Sequence, residues 1–266
     1  MVRSIVVLIC RCFVDVENNC DLFDKEITDG LSCLTFGKVP SSESPVVVGG
    51  GNCSIVGIDY QGEEQFWTVT GDNARAIEFL DWDEDSEPEL IVGSDDFNIR
   101  VFKDEELIFD IKEEAAVTLI KRIRQNIFGY ALENGTFGCY YSRKRLWKQR
   151  AQGKVNALVG MEFDMKDSQM QLVIGFDDGL VEVRKHRSGD LIHSLKLSGT
   201  DLHFKADPIC NLFYYDFRMN GQKQLIAVDQ SGRVKGFTVT DSLQKIQQTI
   251  TTQEKILSDE VVDLGK

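Results

Sequence analysis

LIVGSDDFNIRVFK at 90–103 and LVIGFDDGLVEVRK at 172–185 are the same phrase written twice: an apolar triplet, a small residue, a polar turn, then alternating apolar and polar residues. Three further copies follow the pattern, VVVGGGNCSIVGID at 46–59, FGYALENGTFGCYY at 128–141 and LIAVDQSGRVKGFT at 225–238. Their small or turn-entry residues, Gly49, Gly93, Ala131, Gly175 and Val228, recur at intervals of roughly 38 to 53 residues. A period of that size signals a repeat architecture. Within each copy a Val/Ile-rich run, a tight turn and a period-two run read as a β-hairpin. Asn134-Gly135, Asp178-Gly179 and Ser231-Gly232 supply the left-handed backbone positions such turns require.

Working outward, each hairpin is preceded by an apolar segment (SCLTFGKV, RAIEFLDW, VTLIKRI, NALVGMEF, CNLFYYDF) and followed by another (EQFWTVT, ELIFDI, RLWKQ, LIHSLKL, IQQTI). The unit therefore has four strands. A lone four-stranded sheet exposes two apolar faces, and radial stacking covers both. The expected fold is all-β: a β-propeller of about five four-stranded blades between Leu31 and Thr252, with RCFVDVENNCDLFDKEI at 11–27 contributing strands of an earlier blade. The ring is expected to be an incomplete one of seven blades. Residues 1–252 form this truncated propeller domain, and 253–266 begin a linker or helix, because Leu243, Ile246 and Ile250 fall at helical intervals.

Composition narrows the function. Of the 266 residues 42% are apolar, enough for a core, and the net charge of -13 argues against nucleic acid as a partner. The seven cysteines are odd in number and irregularly spaced, as expected of reduced, buried thiols in a cytosolic protein and not of a disulfide framework. Cys10, Cys12 and Cys20 lack a fourth zinc ligand at workable spacing. The opening MVRSIVVLIC reads as a strand, since Arg11 ends its apolar run and no small-residue cleavage site follows. No stretch reaches the length of a membrane span.

Two segments are candidate sites. In DWDEDSEPELIVG, Asp81, Asp83, Asp85 and Glu89 occupy positions 1, 3, 5 and 9 of a loop, a spacing from which alternate carboxylates converge on a hard cation such as calcium. The loop resembles the calcium loops of integrin-type propeller repeats, with Ser86 where a glycine normally follows the third acid. The plainer reading is a solvated acidic connector. The second segment, RKRLWKQR at 143–150, gathers Arg143, Lys144, Arg145, Trp147 and Lys148 beside Lys121, Arg122 and Arg124. It suits an acidic partner segment or anionic lipid head groups. Its plainer reading is a basic edge strand, with Trp147 packed between blades.

Catalysis finds no motif. His186, His193 and His203 have no nucleophile or paired acid nearby in sequence and read as surface or strand-edge residues, and Gly49-Gly50-Gly51 reads as a turn. No enzyme activity and no required cofactor are expected. A hydrolase built on a propeller would need acids or histidines converging on the channel.

The run from VVVGGGNCSIVGID through FWTVTGDN at 66–73 and VGSDDFNIRVFK at 92–103 resembles the propeller of the Bardet-Biedl syndrome protein 2 family. The likeness continues through FGYALENGTFG, VIGFDDGLVEVR and YYDFRMNGQKQLIAV, covering about residues 11–240. This resemblance implies a non-enzymatic subunit of the BBSome, a coat-like complex that carries membrane proteins to and from cilia. It implies as partners the other subunits, especially Bardet-Biedl syndrome proteins 7 and 9, with cargo tails and an anionic membrane surface besides. The implied locations are cytoplasm, cilium, basal body and ciliary membrane, with no secretion. The family continues into a coiled coil and further domains, which these residues do not include. The alternative is a calcium-binding propeller of the adhesion type.

Overall fold

The structure is a computed structural model that describes residues 27, 30–39, 41–42, 45–162, 170–197 and 206–237 in full, together with the backbone of the strands at 5–8, 12–15, 20–24, 238–239 and 246–252. Among these residues there is no helix, and hence none able to cross a membrane. The described residues form 23 strands. β1 (Ile5–Leu8), β2 (Cys12–Asp15) and β3 (Cys20–Asp24) make a three-stranded meander. Five four-stranded meanders follow. Blade I holds β4 (Cys33–Gly37), β5 (Val46–Gly50), β6 (Ser54–Ile58) and β7 (Glu64–Val69). Blade II holds β8 (Ala74–Leu80), β9 (Glu89–Ser94), β10 (Asn98–Lys103) and β11 (Glu106–Lys112). Blade III holds β12 (Val117–Arg124), β13 (Ile127–Leu132), β14 (Thr136–Tyr141) and β15 (Lys144–Arg150). Blade IV holds β16 (Val155–Glu162), β17 (Met170–Phe176), β18 (Leu180–Lys185) and β19 (Leu191–Lys196). Blade V holds β20 (Ile209–Tyr215), β21 (Gln224–Asp229), β22 (Val234–Val239) and β23 (Ile246–Thr252).

The repeated phrase is thus the second and third strands of each blade. First strands lie side by side, β4 by β8, β8 by β12, β12 by β16 and β16 by β20, which is the radial order of a propeller. In all six sheets the third-to-fourth strand pairing, or β2–β3 in the three-stranded one, carries a register shift, as at Val101/Phe102 and Phe13/Val14. The shared irregularity identifies β1–β3 as the last three strands of a blade. Such a bulge increases local twist and turns the outer strand.

The cores lie between blades. Alternation along β9 sends Leu90 and Val92 into a cluster with Val46, Val48, Ile55 and Phe66 of blade I, and Ile91 into one with Val117, Ile120, Phe128 and Tyr130 of blade III. Equivalent clusters join III to IV and IV to V. Each fully buried Val, Ile or Leu contributes about 1.5–3 kcal/mol. In blades II and IV the small residue of the phrase sits against the first strand of the next blade. A Cβ on Gly175 would stand 2.6 Å from Ile209 Cγ2, and one on Gly93 would stand 2.8 Å from Val117 Cβ. On the far face of blade V, Ile226, Val228 and Val234 are only half-buried, and Phe213 and Tyr215 are exposed.

Two expectations change and one is sharpened. IQQTI forms the expected fourth strand of blade V within β23, and β-branched Ile246, Ile250, Thr251 and Thr252 pair with β22, so the helical spacing of Ile246 and Ile250 is not realised. Residues 253–266 lie outside the described set. Gly49 and Gly50 belong to β5 and not to a turn, and a Cβ on Gly50 would stand 2.9 Å from Ala74 Cβ of blade II. The hairpin turns do not all use glycine: Gly135, Gly179 and Gly232 take positive φ as expected, but blades I and II place Cys53 (φ 61°) and Phe97 (φ 72°) there.

A left-handed non-glycine residue costs about 1–2 kcal/mol. Phe97→Gly is expected to raise the urea midpoint by the equivalent of about 1 kcal/mol. Gly93→Val, which drives a branched side chain into Val117, is expected to lower it by about 1–3 kcal/mol. Equilibrium unfolding of the two variants checks both signs.

Candidate functional site

The acidic segment is the β8–β9 loop, on the end of blade II where first strands turn into second strands. Its outer acids Asp83, Glu84, Asp85 and Glu87 are exposed, whereas Asp81 is 8% and Glu89 0% exposed. One ligand oxygen from each of Asp81, Asp83 and Glu89 lies within 4.8 Å of the others. Three of the four acids singled out in the sequence thus lie together, while Asp85 falls outside that group. Glu89 is anchored by the Trp82 backbone N–H, which donates to Oε2 at 2.6 Å. Oδ1 of Asp81 is buried without a hydrogen-bond donor.

The residue that sequence reasoning missed is Lys103. It ends β10 and reaches back across the sheet, placing Nζ 2.5 Å from Asp85 Oδ2, 3.5 Å from Glu89 Oε1, and 3.7 Å from Asp83 Oδ2 and Glu87 Oε2. Its charge lowers the Asp85 carboxyl pKa, chiefly through that hydrogen bond, and the acids in turn raise the lysine's. Glu89 moves the other way: burial, reinforced by the Asp83 and Asp85 charges, raises its pKa. One ammonium faces four carboxylates. Lys103 ends the VFK of the 90–103 copy, but nothing in a linear string shows that its stem spans to the loop.

The loop also grips blade III. Asp81 N–H donates to Gln125 O at 3.0 Å, Ser142 Oγ to Trp82 O at 2.8 Å, and Tyr141 OH and Asn126 Nδ2 each to Glu84 Oε1 at 2.7 Å. Glu84 has a lowered pKa because of the last two donors. Glu84 and Ser86 have positive φ, 67° and 73°, so Ser86 adopts the backbone state of the glycine it stands for. The corresponding loop of blade V is built differently: Asp216 is satisfied by backbone N–H groups of Gly221 at 2.6 Å and Asn220 at 3.2 Å. The FDMKDSQMQ segment at 163–171 falls mostly outside the described residues.

The basic segment forms β15, the outer strand of blade III, and is largely committed to neighbouring blades. Arg145 pairs with buried Glu113 (Nη2–Oε1 2.6 Å) and donates to Tyr140 OH. Trp147 donates from Nε1 to His186 O at 2.8 Å and meets Phe137 edge-on, 6.0 Å between ring centroids. Lys148 pairs with Glu114 at 3.1 Å, and Lys121 with Glu78 of blade II at 2.8 Å. Arg143 lies 5.0 Å over the Phe109 ring, and Lys144 is exposed at the turn. The segment thus works chiefly as a seam, leaving Arg122, Arg124, Arg143 and Lys144 exposed at the surface.

His186 is buried at 4% exposure, contrary to the surface position expected, and burial lowers its pKa. It sits in the turn that receives Trp147, a tertiary contact without sequence signature. His193 is half-buried on β19, and His203 lies outside the described residues. Cys33, Cys53, Cys139 and Cys210 are free thiols. Cys139 is buried, Cys33 is pushed up to about 11 by burial, and Cys210 is exposed, against expectation.

Blade-between-blade cores, radial first strands and a repeated bulge define a β-propeller. Solved structures agree. BBS1N in a crystal structure with ARL6DN, soaked with mercury, aligns with TM-score 0.71 at 14% identity over 88% of this chain and 73% of that one. The β-propeller domain of Cps50 (Swd1) aligns with TM-score 0.63 at 12% identity over 84% and 72%. The family described as ciliary BBSome complex subunit 2, middle region, matches residues 76–184. BBSome complex member BBS2 of Danio rerio is 39% identical over 224 residues, and that of Homo sapiens 37%; each alignment covers 84% of this chain and 30% of the relative. The chain belongs to the BBS2 family and spans about 30% of the length of these relatives.

Breaking a half-buried pair whose acid stays buried costs more than removing an exposed charge. Arg145→Ala is expected to destabilise by about 2 kcal/mol, whereas Lys144→Ala leaves the unfolding midpoint unchanged. Urea titration followed by tryptophan fluorescence distinguishes them.

Proposed function

We propose that this propeller is a non-enzymatic interaction subunit of the BBSome, contributing to the carriage of membrane proteins to and from cilia. The observation that carries the reading is the 224-residue match, at up to 39% identity, to BBSome complex members. Cytoplasm, cilium, basal body and the surface of the ciliary membrane are the corresponding locations. The partners are other subunits, foremost Bardet-Biedl syndrome proteins 7 and 9, with cargo tails and anionic membrane as further contacts. The adhesion-type alternative finds no support in these relatives.

Surface chemistry supports an assembly role. On blade V, Phe213, Tyr215, Phe217 and Met219 are 41–78% exposed, an apolar group of the kind that marks contact surfaces. Blade III presents Arg122, Arg124, Arg143 and Lys144 on a protein of net charge -13, which favours an acidic segment or head group there.

The test is affinity capture of this chain from ciliated-cell lysate beside a chain extended to the relatives' full length, with subunits 7 and 9 measured by mass spectrometry. Both subunits are expected with the extended chain, and recovery with the propeller alone places contacts in the blades. Failure of both chains to retrieve any BBSome subunit overturns the proposal.

A further inference from the structure

We propose that the β8–β9 loop binds a divalent cation of the calcium type through Asp81, Asp83, Asp85 and Glu89, displacing the Lys103 ammonium that sits among them. Three features carry this. One oxygen from each of Asp81, Asp83 and Glu89 lies within 4.8 Å of the others, and Asp85 pairs with the ammonium that Asp83 and Glu89 also face. Asp81 and Glu89 are more than nine-tenths buried, yet Oδ1 of the first has no hydrogen-bond donor and Oε1 of the second has only the Lys103 ammonium, 3.5 Å away. A buried carboxylate oxygen without a donor is unfavourable, and a cation satisfies it. Lys103 supplies one positive charge against the four acids it faces, which leaves the loop strongly electronegative.

Ligand type selects the ion. All ligands are carboxylate oxygens, on a loop whose outer side is open to water, which suits the six to eight oxygens and loose geometry of calcium better than the strict octahedron of magnesium. Lys103 can leave because its side chain is 29% exposed and its flexible stem can carry the ammonium to solvent. Because Asp81, Trp82 and Glu84 hold Gln125, Ser142, Asn126 and Tyr141, an ion in the loop tightens the seam between blades II and III.

Terbium chloride and calcium chloride are the probes, used on the 266-residue chain. Trp82 lies between two ligands and serves as the sensitiser for terbium emission. Saturable emission reversed by calcium is expected, with Tm rising by roughly 5 °C at about 100-fold excess over Kd. Asp83→Asn, at an exposed position that the fold tolerates, weakens binding about tenfold, and Lys103→Gln tightens it about tenfold. A wild-type chain with neither emission nor a calcium-dependent Tm overturns the proposal, as does an unchanged response in Asp83→Asn. Binding by Lys103→Gln alone also overturns it, since the ammonium would then be the permanent occupant. A shift as large with magnesium chloride overturns the calcium assignment.

Discussion

A four-stranded antiparallel sheet whose two faces are both apolar cannot shed either face to water, and everything else in this propeller follows from that constraint. No blade has a core of its own. The four buried clusters each draw from two sheets, so the free energy of folding resides in the seams. Second strands are buried almost throughout, as at β9 and β13, whereas fourth strands alternate with solvent. The small residues Gly93, Ala131 and Gly175 are the points at which one sheet admits the first strand of the next.

Charge is organised around the same seams. The II–III seam is crossed by Lys121–Glu78, by Arg145 reaching Glu113, and by the acidic loop's hydrogen bonds to Asn126, Tyr141 and Ser142. The III–IV seam is crossed by Trp147 to His186. Buried polar groups are costly unless paired, so these contacts specify which sheet follows which and at what height more than they add net stability. Oδ1 of Asp81, buried without a hydrogen-bond partner, lies in the acidic loop of the II–III seam.

For the proposed interaction role this arrangement has a clear consequence. A stack held together blade by blade can present loops, turns and outer strands as contact surface without disturbing its core. The exposed aromatic residues of blade V and the exposed cations of blade III are attached to the scaffold through buried neighbours on the same strands. The β8–β9 loop differs, being itself part of a seam, so whatever occupies it acts on the scaffold as well as on the surface.

Period and patterning were legible in the linear chain because they are local: the phrase from 46 to 238, the flanking strands, and the glycines of three hairpin turns follow from alternation and turn chemistry. The acids at 81, 83, 85 and 89 were equally legible, since a single loop supplies them all. The ending at 246–252 was ambiguous because short segments carry both periods, and pairing with β22 resolved it. Tertiary structure alone decided that Lys103 enters the acidic loop, that Arg145 and Trp147 are spent on Glu113 and His186, and that His186 is buried. Those contacts join residues on different strands or different blades, and their distances depend on how sheets twist and stack, which no spacing along the chain encodes.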